Sequence, residues 1–96
     1  FLGSIIGDHT KTGIVTMLNT GTLAGISSNL FGAGYHKKFI RSFAWDDCAT
    51  GEDTVYEIQK AISTARTSMK RRGIEMSSNY EEMLRYLFEK KNEMII

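Results

Sequence analysis

Ninety-six residues set the ceiling at one small domain, or part of one, with a modest core and a thin margin of stability. Twelve Lys and Arg against eleven Asp and Glu leave a net charge of +1, which excludes the strongly basic field of a general nucleic-acid binder. The single cysteine, Cys48, excludes an internal disulfide and has no metal-type companion spacing, so it reads as an incidental loop thiol.

The chain opens at Phe1 without an initiator Met, a basic leader or a cleavage pattern, which predicts the later part of a longer polypeptide. No apolar run approaches the roughly 20 residues of a bilayer crossing, so the expectation is a cytoplasmic protein without a membrane partner. Up to residue 35 only Asp8 and Lys11 are charged, and seven of the nine glycines fall there. Such a segment cannot be an ordinary solvated helix.

The period in this first half is six. Cut from Ile6, the chain reads IGDHTK, TGIVTM, LNTGTL, AGISSN, LFGAGY, led by Ile6, Thr12, Leu18, Ala24 and Leu30. Gly7, Gly13 and Gly25 recur at the second place, and Thr10, Thr16, Thr22 and Ser28 at the fifth. A helix places apolar residues at intervals of three and four and a simple strand at two, so neither explains this register. A six-residue unit fits one flat side of a triangular coil, with an apolar residue pointing in and a corner after it. The expected fold is therefore a β solenoid, a left-handed parallel β-helix fragment over residues 1–45 with Ile6, Leu18 and Leu30 inward. Five units are less than two turns, so the apolar row should need neighbouring coils or chains to cover it.

Further along, Phe39, Phe43 and Trp45 read as a strand packed on the coils. The basic Lys37, Lys38 and Arg41 are cancelled by Asp46, Asp47, Glu52 and Asp53, which argues against nucleic acid as a partner. Residues 46–53 are expected to be a linker and 54–96 a helical hairpin cap of two C-terminal α-helices. Val55, Ile58, Ile62, Ala65 and Met69 mark the apolar face of the first helix, which is expected over Thr54 to Arg72. Lys70, Arg71 and Arg72 complement its carbonyl end, and Gly73 supplies the left-handed stop. Ser78 with Glu81 reads as a capping box opening a second helix, with Tyr80, Met83, Leu84, Leu87 and Phe88 on its buried face.

Three stretches carry a family resemblance: Gly7-Asp8-His9-Thr10-Lys11-Thr12-Gly13, Met17-Leu18-Asn19-Thr20-Gly21-Thr22, and Lys38-Phe39-Ile40 followed by Ser42-Phe43-Ala44-Trp45. They resemble the hexapeptide-repeat acyltransferases. The likeness is to the C-terminal part of the bifunctional UDP-N-acetylglucosamine pyrophosphorylase and glucosamine-1-phosphate N-acetyltransferase enzymes, and to their bacterial sugar nucleotidyltransferase-like variants. It implies a homotrimer that binds acetyl-CoA between subunits and acetylates an amino-sugar phosphate. It implies no metal in this part, and a nucleotidyltransferase domain elsewhere in the polypeptide. Asn29-Leu30-Phe31-Gly32-Ala33-Gly34 is similar to the family's Asn-Ile-Gly-Ala-Gly run with one residue inserted, so Gly32 and Ala33 are the implied contacts of the acetyl thioester. Lys38-Phe39 stands in the place of the pair whose lysine meets the sugar phosphate. The family's catalytic His corresponds to Ile14 and its Tyr to Met17, while the variants place an imidazole at the position of His9 and prolines at those of His36, Lys37 and Arg41.

Acetyl transfer to an amine needs a base for the amine proton and donors for the oxyanion, and His suits the first role near neutral pH. His9 is the expected base. Its neighbour Asp8 should point the other way along a strand. Lys11, Asn19, Asn29 and Lys38 are the expected substrate-binding residues, gathered in a cleft between subunits. The competing expectation is a non-catalytic β-helix that trimerises and regulates a sugar-1-phosphate nucleotidyltransferase.

Overall fold

A computed structural model describes residues 3–49 and 52–93, the side chains of 52 and 53 excepted. Phe1, residues 50 and 51 of the expected linker, and residues 94–96 of the expected cap lie outside the described residues. Among the described residues seven short strands precede two helices: β1 (Ile5–Ile6), β2 (Lys11–Thr12), β3 (Leu23–Ala24), β4 (Asn29–Phe31), β5 (Phe39–Ile40), β6 (Ala44–Asp47), β7 (Glu52–Val55), α1 (Ile58–Arg71) and α2 (Ser78–Glu89).

The fold class is a small mixed α/β domain with two sheets, which corrects the expected left-handed β-helix. One sheet is parallel, in the order β1-β3-β5. The other is mixed, in the order β2-β4-β6-β7, because β7 returns antiparallel against β6. The six-residue period holds for one step, where Ile5 faces Leu23 and Lys11 faces Asn29, eighteen residues apart. It then fails: Leu23 faces Phe39 and Asn29 faces Trp45, sixteen apart. A third side is reduced to the single bridge between Met17 and Tyr35. Of the three residues expected to point inward, Leu30 is fully buried, Leu18 packs against the core from its edge, and Ile6 is 45% exposed.

What the repeated hydroxyls do is tie the turns to neighbouring backbone. Each donates to a backbone carbonyl: Thr10 to Gly25, Thr16 to Gly13, Thr22 to Asn19 and Ser28 to Arg41. Thr10 and Ser28 also accept, from the amides of Ser28 and Ala44. A short side chain with both donor and acceptor is what a buried turn needs to satisfy its peptide groups. The turn after β1 is left-handed at His9 (φ 62°), and the stacked turns repeat it at Ser27 (51°) and Phe43 (57°).

Ala24, Leu30, Ile40 and Ala44 form the core between the sheets. Burying Leu30 and Ile40 completely stabilises by about 1.5–3 kcal/mol each. Gly25 belongs here because a Cβ at that position would run into the Ser42 backbone. A second cluster joins Phe43, Tyr56 and Ala61 to Leu87 and Phe88, with Phe43 and Phe88 meeting edge to face at 5.3 Å. Of the aromatic trio expected to pack on the coils, only Phe43 is buried, while Phe39 and Trp45 are exposed.

The expected linker is largely a hairpin, and Thr54 and Val55 belong to β7 rather than to a helix. Two adjacent β-branched residues fit an edge strand paired with Ala44 and Trp45 better than a first helical turn. α1 therefore starts at Ile58 and buries Ala61, Ile62 and Ala65. It stops where Gly73 takes φ 74° and the Ile74 amide reaches the Met69 carbonyl. Gly73→Ala should cost about 1 kcal/mol, read as a lowered urea midpoint with unchanged slope.

α2 is capped by Ser77, whose hydroxyl accepts from the Tyr80 amide at 3.1 Å, one residue before the expected Ser78. Glu81 does not close a capping box. It bonds Arg66 of α1 and Arg85, and those two guanidiniums, Arg66 first, hold its carboxyl below the usual range. Among the described residues no helix is long and apolar enough to cross a membrane.

Candidate functional site

α2 lies across the left-handed turns, and this places Tyr80 over His9. The His9 Nε2 and the Tyr80 hydroxyl are 2.8 Å apart, with the rings edge to face at 86°. Burial, then the nearby Lys11 charge, push the His9 pKa below its ordinary value, against the opposing pull of Asp8. The Tyr80 phenol is pushed up by burial and by Asp8. The pair thus holds a neutral imidazole and a protonated phenol around neutral pH, sharing one hydrogen bond whose direction depends on the imidazole tautomer.

Lys11 begins β2 just beyond His9, with its Nζ 3.4 Å from the His9 carbonyl. It is paired in register with Asn29, which is paired in turn with Trp45. His9 therefore lies in the turn that leads into the Lys11 and Asn29 pair of the four-stranded sheet. Asn19 and Lys38 do not join them. Both are exposed at the entry to the other sheet, where the Asn19 carbonyl takes the Thr22 amide and hydroxyl and the Lys38 carbonyl takes the Leu23 amide.

Gly32 and Ala33 follow β4. A Cβ on Gly32 would meet Asp47 and Ala49, so one side of this run is covered by the end of β6. Cys48 closes that side further, its amide donating to the Phe31 carbonyl and its thiol to the carbonyls of Ala33 and Gly34. Ala33 is exposed on the other side. Ile14, the position that the resemblance sets against a histidine, is 96% exposed and brings no acid or base. Among the described residues no group of three or more His, Cys, Asp or Glu could hold a metal ion.

Sequence reasoning missed a buried pair. His36 Nδ1 lies 2.7 Å from Asp46 Oδ2, with the two residues 2% and 4% exposed, and the other imidazole nitrogen, Nε2, has no partner. Two signals were present. His36 stands at the leading place of the unit after Leu30, where the earlier units carry mostly apolar residues. Asp46 alternates with Trp45 and Asp47 along a strand whose first residue, Ala44, is buried. No protein-family model, no curated protein and no solved structure matches this chain.

Proposed function

We propose that the chain is an acyltransferase-type module that acetylates an amino-sugar 1-phosphate in the cytoplasm, with a site completed between the subunits of a homotrimer. The observation that carries this reading is the His9 and Tyr80 pair, an imidazole kept neutral and held in place beside Lys11 and Asn29. A neutral imidazole takes the amine proton as the amine attacks, and Tyr80 fixes the ring by its hydrogen bond. Lys11 supplies a positive charge for the sugar phosphate. Asn19 and Lys38 face away within one chain, so a neighbouring chain brings its own copies to this end. The exposed Ile5, Ile14, Val15 and Tyr35 give the assembly apolar surface to bury. Acetyl-CoA supplies the acyl group as co-substrate.

The test is thiol release from acetyl-CoA with and without glucosamine 1-phosphate, at concentrations where light scattering reports the assembly state. Amine-dependent release from a trimer is the expected result, with Lys38→Ala raising the KM for the sugar phosphate. A trimer that releases no thiol would replace this reading with the second one, a non-catalytic assembly module attached to a sugar-1-phosphate nucleotidyltransferase. The covered side of Gly32 favours that alternative.

A further inference from the structure

The two faces of the parallel sheet differ. One is inside the molecule, where Ala24 and Ile40 are 1% and 0% exposed. Ile5, Leu23 and Phe39 are paired in register across β1, β3 and β5, and strand alternation turns them to the opposite face. There Ile5 is 68% and Phe39 47% exposed, with Leu23 half-buried between them. Among the described residues no helix or strand is laid over this row, and α2 reaches only one end of the face, through Leu87. Parallel sheets are as a rule covered on both faces. A row of three large apolar side chains without a charge among them therefore marks a face whose second layer comes from outside the described residues.

The relief of the face decides what that layer is. The row stands as a ridge between two hollows. One, of about 300 Å³, lies over Gly3, Gly21 and Thr22 at the entry to the strands. The other, of about 320 Å³, lies over Gly7, Gly25 and Ile26 at their exit, and Ile5 is a wall of both. The exit hollow presents no polar surface. The Ser42 hydroxyl on its rim accepts the Ile26 amide, and the amides of Gly7 and Gly25 are donated to the carbonyls of Ala24 and Ile40, so its peptide groups are already satisfied.

We infer that this face is covered by the same face of a second copy of the chain, related by a two-fold axis lying across the strands, so that each ridge seats in the exit hollow of the other. Ile5 and Leu23 then stand over the partner's Gly7 and the partner's Gly25, two positions further along the same strands and without side chains. A two-fold contact needs one patch that is complementary to itself, and this face carries both the ridge and the hollow that receives it. Three strands at about 4.8 Å and about five residues at 3.3 Å each give a textured face on the order of 500 Å² per copy. A pair then buries about 1,000 Å², the lower bound of a specific interface, which points to a dimer that dissociates in the micromolar range. A single strand from another protein would fill one hollow and leave the ridge bare.

The inference goes beyond the proposed function and uses neither its reaction nor its trimer. Ile14, Val15 and Tyr35 lie outside β1, β3 and β5 and stay available to three-fold contacts.

Light scattering and sedimentation across about 1–100 µM test the pairing. An even-numbered assembly is expected, a dimer where the chain does not also trimerise. Ile5→Asp and Phe39→Asp, both at exposed positions, should keep a cooperative melt and weaken the association by about a hundredfold or more, because the two-fold buries each new charge twice. Should either melt early, Ile5→Thr and Phe39→Thr supply the same test with a smaller expected loss, about tenfold. Ile14→Asp, 96% exposed and off this face, should leave the pair intact even where it breaks a trimer. A monomer across the whole range, an assembly that is only trimeric, or a pair that survives the variants at both Ile5 and Phe39 would overturn the inference. An even-numbered assembly without thiol release from acetyl-CoA sinks the acyltransferase reading alone. Thiol release from a trimer that Phe39→Asp leaves unchanged sinks the pairing alone.

Discussion

His36→Leu is expected to destabilise the chain by about 3–5 kcal/mol, because it leaves the Asp46 carboxylate buried without its partner. In a domain this small each kcal/mol moves the melting temperature by about 4–8 °C, so the variant should melt more than ~12 °C lower. Asp46→Leu should cost less, about 1–3 kcal/mol, since what remains is an imidazole lacking hydrogen bonds. The double variant is the informative one. Replacing both polar groups by leucines, one of them in register with the buried Leu30, removes the desolvation cost together with the bond, and stability should return to within about 1 kcal/mol of the parent or exceed it. Urea denaturation of the four proteins closes the cycle. Additive losses in the double variant would show that the pair is not coupled and that its neighbours satisfy both groups.

That pair also shows where sequence reading stops. The period of six held for one eighteen-residue step, and the hydroxyls at the fifth place proved to be what satisfies buried peptide groups there. The helical face of Ile58, Ile62 and Ala65 was legible because its spacing is local, and Gly73 marked where it ends. The sixteen-residue second step was not legible, since it depends on how residues 32–38 cross between the two sheets. β7 was hidden in the same way: Val55 fitted a helical face by spacing, yet its pairing with Ala44 is decided by a hairpin no periodicity reports. His9 was singled out by resemblance, but its hydrogen-bond partner is 71 positions away on α2, and no local pattern connects them. Asn19 and Lys38 were joined to it by polarity and by the family resemblance. The chain's own backbone places them on the other sheet.

His9→Asn should lower the proposed acetyl-transfer rate by about 10² to 10⁴ while leaving the proposed assembly and acetyl-CoA affinity intact, because asparagine keeps a polar side chain at the turn but cannot accept a proton. Asparagine also tolerates the left-handed φ of 62° at this position, so backbone strain is not added. The pH profile supplies a second, independent reading. The folded imidazole has its pKa below the ordinary 6.5, so the neutral base persists as pH falls through that value and the rate limb should lie lower still. For stability the sign follows from proton counting. Above 6.5 His9 is neutral in both states and contributes no pH dependence. Between 6.5 and the lower folded pKa the unfolded chain binds the proton and the folded chain does not, so the folded state weakens as pH falls through this window. In His9→Asn that share of the acid weakening should vanish, together with the acid limb of whatever rate remains. Tyr80→Phe removes the hydroxyl but keeps the ring, and should move the limb without abolishing it. An acid limb that stays in place in His9→Asn would assign the base to another residue.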